Sequence, residues 1–183
     1  MKPYRLPKFL IIGVITFLLL SNCEEDKMEE VLPQQLPSIT LEKFCLTETK
    51  NGKKMWMLDA ETAKVYDELI KIDHVKIRFY DENQIEFSIL HAPGGQLNMK
   101  THNILVGDSV VVFTNDSTTL LTDSLFWQND SQMILTNSPV KILKRDGTII
   151  EGKGLKADPY LRKIEIIGTT EGVSPIELPD INK

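Results

Sequence analysis

The sequence predicts an all-β domain, a twisted open jellyroll of consecutive antiparallel hairpins, on three observations. Apolar and polar residues alternate: Val75, Ile77 and Phe79 share one face of a run from His74 to Tyr80, with Lys76 and Arg78 opposite. The following run is read with Ile85, Phe87 and Ile89 on the dry face and Glu86 and Ser88 on the wet one. Turn residues punctuate the chain every dozen or so positions, at Asn51-Gly52, Asp81-Glu82-Asn83, Pro93-Gly94-Gly95, Asn115-Asp116-Ser117, Asn129-Asp130, Asp146-Gly147 and Asp158-Pro159. Finally, the chain resembles itself. A shift of 30 residues matches Leu105 to Leu135, Val110 to Val140 and Asp116 to Asp146, and a shift of 35 matches Val75 and Asp81 to Val110 and Asp116. Each copy reads as strand, Asp-opened turn, strand, and a lone hairpin cannot bury its apolar face, so the copies are expected to stack on one core.

The elements follow in order. Lys2, Arg5 and Lys8 precede an apolar run from Phe9 to Leu20. Twelve residues rise only about 18 Å as a helix, against roughly 30 Å of bilayer hydrocarbon, so the run suits a signal sequence better than a spanning helix. It ends in Leu20-Ser21-Asn22-Cys23, which resembles the lipobox of bacterial lipoproteins, with Asn22 where Gly or Ala is usual. Residues 1–22 are therefore read as a signal peptide and Cys23 as the lipidation site. Loss of that segment, with its three basic side chains, takes the formal net charge from −5 to −8. So acidic a chain is poorly suited to nucleic acid, whose phosphates require clustered Lys and Arg. Residues 23–38, acidic and then Pro-punctuated, read as an extended tether. Residues 39–168 form the domain and 169–183 a Pro-bearing tail. Glu61 to Leu69 has some helical flavour but is too short to change the class, and Cys45 is expected to be a half-buried strand residue.

No pattern points to catalysis. His74, His91 and His102 lack ligand spacing, and there is no nucleophile elbow, phosphate loop or dinucleotide fingerprint. Asp123-Ser124 reads as a strand-end polar pair, and Gly152-Lys153-Gly154 as a bulge or strand corner. No enzyme activity and no cofactor or metal is expected.

Lys54-Met55-Trp56-Met57-Leu58-Asp59-Ala60-Glu61-Thr62-Ala63 resembles the opening of the LptC and OstA-like domain. Further segments at 75–80, 104–110, 120–127, 139–142 and 152–158 resemble that family's later strands in order. The resemblance implies two splayed sheets around a greasy groove, and a part in lipopolysaccharide export at the periplasmic face of the inner membrane. It implies lipopolysaccharide as cargo, and an inner-membrane ABC transporter and a periplasmic LptA-like bridge protein as partners. Family members commonly carry an uncleaved membrane helix, for which this chain substitutes Cys23. Candidate groove residues are Val75, Ile77, Phe79, Phe87, Val110, Val112, Leu120, Val140, Ile142 and Leu155, with Ile85, Leu125 and Ile150 on the same dry face. The run Leu161 to Ile167, with Ile164 and Ile166, is the expected edge for a partner strand. A surface lipoprotein acting as adhesin or scaffold, an outer-membrane location and a jellyroll sugar hydrolase are the competing readings.

Overall fold

The computed structural model describes residues 36–173. The signal, lipidation and most tether positions, and the tail from residue 174, lie outside them. The described chain is all β: β1 (Ile39–Lys50), β2 (Lys53–Tyr66), β3 (Leu69–Tyr80), β4 (Glu86–Asn98), β5 (Ile104–Thr114), β6 (Thr119–Gln128), β7 (Met133–Leu143), β8 (Ile149–Ala157), β9 (Ile164–Ile166) and β10 (Thr170–Val173). β1 to β8 pair with their sequence neighbours in one antiparallel sheet, and β9 and β10 share the outer edge of β8. The stretch from Glu61, read for some helical flavour, finishes β2, turns at 67–68 and enters β3. β-branched Thr62, Val65, Ile70 and Ile72 suit a pleated surface.

Asn51 and Gly52 both take positive φ, as a two-residue hairpin requires. Three longer hairpins repeat one turn. Asp81, Thr114 and Lys144 each donate N–H to the carbonyl four residues on, and Gln84, Ser117 and Gly147 take the left-handed conformation. The turns therefore align with offsets of 33 and 30 residues, so the 35-residue match slips by two at the first copy. Asp116 and Asp146 hold equivalent places and receive the N–H of Thr118 and Thr148. Asp81 sits two residues earlier, yet its Oδ1 still gathers the N–H groups of Asn83 and Ile85.

A line of irregularity crosses the middle of the sheet. Lys43, His74, Asp108, Ser109 and Gly154 have positive φ within strands, and pairing is interrupted between His91 and Gly94, at Asp108–Ser109, and near Asp123 and Asn137–Ser138. Such bulges bend and twist a strand. Lined up, they make a crease about which the sheet folds, so that each long strand serves two walls. Two segments take a different role from the one their composition suggested. Pro93-Gly94-Gly95 lies within β4 rather than in a turn. Pro93 falls where the ladder is broken, so its missing N–H is not needed, and a Cβ on Gly95 would stand 2.6 Å from the Leu105 carbonyl oxygen. Asp123-Ser124 is likewise mid-strand, on the crease.

The fold back is visible in contacts between strands far apart in the sheet. β3 and β6 are three strands apart, about 14 Å in a flat sheet, yet the rings of Phe79 and Trp127 lie 4.9 Å apart. Phe87 of β4 stacks at 3.5 Å on Tyr160, beyond β8. Between the walls lies one continuous apolar core, with Trp56, Leu58, Ile77, Leu90, Leu120, Ile134, Ile142 and Leu155 fully enclosed.

Candidate functional site

The ten candidate groove residues share one interior, and each is less than a tenth exposed. The row Phe79, Ile77 and Val75 from β3, the row Val112 and Val110 from β5, and Leu120, Val140, Ile142 and Leu155 from β6 to β8 all face inward. As it stands, the interior is a packed core rather than an open channel. Ile85 is the exception to the expected dry face: it is 58% exposed, in the β3–β4 turn. The cause is a bulge. Phe79 pairs with Ser88 and Tyr80 with Glu86, which makes Phe87 the extra residue. Phe87 and Ser88 are consecutive yet both buried, and beyond them Leu90 and Ala92, not Ile89, carry the inward phase. Cys45, expected to be half-buried, is exposed, because β1 is an edge strand and alternation directs Phe44 and Leu46 to the core instead.

Along the side opposite the crease the two walls meet as lips. Among the described residues no strand pairing joins them; side chains do. Trp56 Nε1 donates across the gap to Asn129 Oδ1 at 2.9 Å; on Asn129's own wall Trp127 Nε1 reaches the same oxygen at 3.3 Å, and the Asn129 N–H donates to Asn103 Oδ1, which holds the acceptor in place. Glu48 of β1 meets His102 of the β4–β5 turn at 3.0 Å. The Phe79–Trp127 and Phe87–Tyr160 ring contacts complete the seam.

A cleft of about 880 Å³ opens at one stretch of this seam, within the size range of small-molecule sites. Phe79, Phe87, Trp127, Met133 and Tyr160 supply its apolar surface, and Lys50, Lys53, Lys54 and Lys163 its cationic rim. Asp81, Glu82 and Asp158 line it too. Asp158 Oδ1 is engaged by the N–H groups of Arg162 and Lys163, as Asp81 Oδ1 is in its own turn. Lys54 Nζ sits 4.1 Å above the Tyr80 ring and Arg162 4.7 Å from the Tyr160 ring, so part of the cationic charge rests on aromatic faces. Burial raises the Tyr160 phenol above its ordinary value, and Asp81 adds to the rise. The arrangement suits an amphiphile, with an apolar floor and charge at the rim. Among the described residues no group of His, Cys, Asp and Glu is arranged to hold a metal ion.

Ile164 and Ile166 lie in β9, which among the described residues pairs with β8 alone. The outer edge continues through β10 to Val173, five residues past the expected end of the domain. Ile167 donates its N–H to Gly154, so strand alternation turns the Ile166 N–H away from β8. Sequence reasoning did not find Asn129, Asn103 or Tyr160 as seam residues, since their roles depend on which distant turns face each other.

The family described as lipopolysaccharide-assembly, LptC-related matches residues 8–174. No curated protein matches the chain.

Proposed function

The chain belongs to the LptC-related family of lipopolysaccharide-assembly proteins, and on that premise we propose that it receives lipopolysaccharide acyl chains between its lips and passes them along an end-to-end bridge of jellyrolls. The family implies a role in lipopolysaccharide transport and association with the periplasmic side of the inner membrane. The observation that carries the finer reading is the seam: a continuous apolar interior closed on one side by side chains alone. Each methylene kept from water is worth about 0.8 kcal/mol, so an acyl chain has reason to replace protein contacts there. The chain's charge of −5 repels an anionic cargo at long range, which favours capture through its hydrocarbon.

Cys23 is proposed as an acylated anchor, in place of the family's membrane helix. Among the described residues two strand edges have no strand beside them. β1 presents twelve residues paired, among the described residues, with β2 alone, and β9 and β10, both paired with β8, present the opposite edge. The β9 edge is proposed to accept a strand of the LptA-like bridge protein, and the ABC transporter to lie at the membrane end. Exposed edges serve strand addition naturally.

Photoreactive residues at Phe87 and Tyr160 should capture lipopolysaccharide in cells, whereas the same group at outward-facing Lys76 and Lys141 should not. Equal capture from both sets would sink the groove reading.

A further inference from the structure

Ser88 is only 1% exposed, and its Oγ finds no hydrogen-bond partner among the described residues. Two buried threonine hydroxyls elsewhere in the sheet, near the crease, are occupied: Thr122 Oγ1 donates to the Pro139 carbonyl, and Thr136 Oγ1 receives the Ser138 N–H. Across the sheet, Thr114 Oγ1 is committed to Asp116 and the Thr118 backbone. An idle hydroxyl in an apolar interior is costly, and one retained there calls for an explanation. Its position supplies one. Ser88 pairs with Phe79 and follows Phe87, and both of those rings line the cleft at the seam. The β4 bulge turns two successive residues inward, a ring at the lip and a hydroxyl behind it.

We propose that Ser88 is a specificity-determining residue: its buried hydroxyl selects an amphiphile whose acyl chain carries a hydroxyl close to the headgroup over one with a plain chain. A hydroxyl both donates and accepts, so a chain hydroxyl that enters past Phe87 and Tyr160 completes the bonding of both groups at once. A plain chain leaves Ser88 unpaired, and sites built around a hydrogen bond discriminate strongly against ligands lacking the partner. The Lys50, Lys53 and Lys54 rim then stands outside, beside the anionic end.

This inference rests on the proposed cleft function, and one titration separates the two. The chain's two tryptophans both lie at the seam, so their fluorescence reports occupancy of the cleft. Full-length protein in mild detergent is titrated with myristic acid and with 3-hydroxymyristic acid. The expected result is about tenfold tighter binding of the hydroxy acid, the worth of one net hydrogen bond at the upper end of its range. Ser88→Ala should erase that preference by weakening the hydroxy acid alone, while raising the urea midpoint of the empty protein. Ser88→Cys, close in size but a weak donor, should retain little preference and guards against a packing artefact. Specific binding of both acids with no preference, or a preference that survives in Ser88→Ala, overturns the role of Ser88 and leaves the cleft standing. Failure of both acids to change the fluorescence overturns the cleft itself, and the proposal with it.

Discussion

Asn129→Ala tests the seam most directly. The Asn129 side-chain oxygen receives two indole N–H groups, from Trp56, which is fully buried, and from Trp127, which is nearly so. Truncation leaves two buried indole donors without their acceptor. A stranded buried donor costs about 1–3 kcal/mol, and the 3.3 Å bond is the weaker of the two, so the loss should be about 2–4 kcal/mol. Asn129→Asp keeps an oxygen at the same place and should lose much less. Equilibrium urea unfolding, followed by tryptophan fluorescence and by circular dichroism, gives both values. The two probes should move together, since these indoles sit in the one core. A loss below about 1 kcal/mol for the alanine variant would mean that the lips are not fastened by these bonds, and the account of a side-chain seam would fall.

Ile142→Ala, at a fully buried position opposite Ile150 and Leu120, should cost about 2–5 kcal/mol in the same assay, and a negligible loss would place it outside the core. Gly95→Ala should destabilise by about 1–3 kcal/mol, because its Cβ meets backbone oxygen rather than a movable side chain; a neutral result would show that β4 and β5 can part there freely. The Thr114 hydroxyl holds the Asp116 carboxyl below its ordinary range, and the Thr148 N–H does the same for Asp146. Lowered native values mean stability that is present above the ordinary carboxylate range near 4 and is lost as pH falls through the native values. Asp116→Asn with Asp146→Asn should therefore flatten part of the fall in urea midpoint between pH 5 and 3, and an unchanged slope would refute the turn assignment. Ile166→Pro should leave the fold intact, since its N–H points away from β8, while abolishing co-purification with a bridge protein; outright unfolding would show β9 to be needed in the interior.

The hairpins were legible because their causes are local. Asn51-Gly52 needs only its own two residues to make the turn, and β3 shows its buried face in the spacing of Val75, Ile77 and Phe79. What was lost was phase. At the entry to β4, Ile85 and Phe87 stand two apart, as though on one face, but a bulge against β3 inserts Phe87 and moves the inward series to Ser88, Leu90 and Ala92. A bulge is a property of a pair of strands, and no window of one strand contains it. Pro93-Gly94-Gly95 failed for a related reason: the residues that mark turns also mark the places where a ladder breaks or two backbones press together. The seam was less accessible still. Trp56 and Asn129 stand 73 residues apart, and nothing local to either says that a crease will bring them within 2.9 Å.

The two ways of opening this domain differ in what must break. Parting adjacent strands such as β4 and β5 severs a ladder of backbone bonds from Ser88–Thr114 to Leu97–Ile104 and leaves polar groups facing an apolar interior. Parting the lips severs the Trp56–Asn129 bond, the Glu48–His102 contact and two ring contacts, and leaves every ladder whole. The crease offers the hinge, because its residues already lack regular pairing and tolerate a change of bend. An acyl chain admitted at the lips would also offset the apolar contacts it displaces, whereas one forced between strands would offset none of the lost hydrogen bonds. Entry past Phe87 and Tyr160 is therefore the route of least cost, and the cleft at that point of the seam is where such an opening would begin.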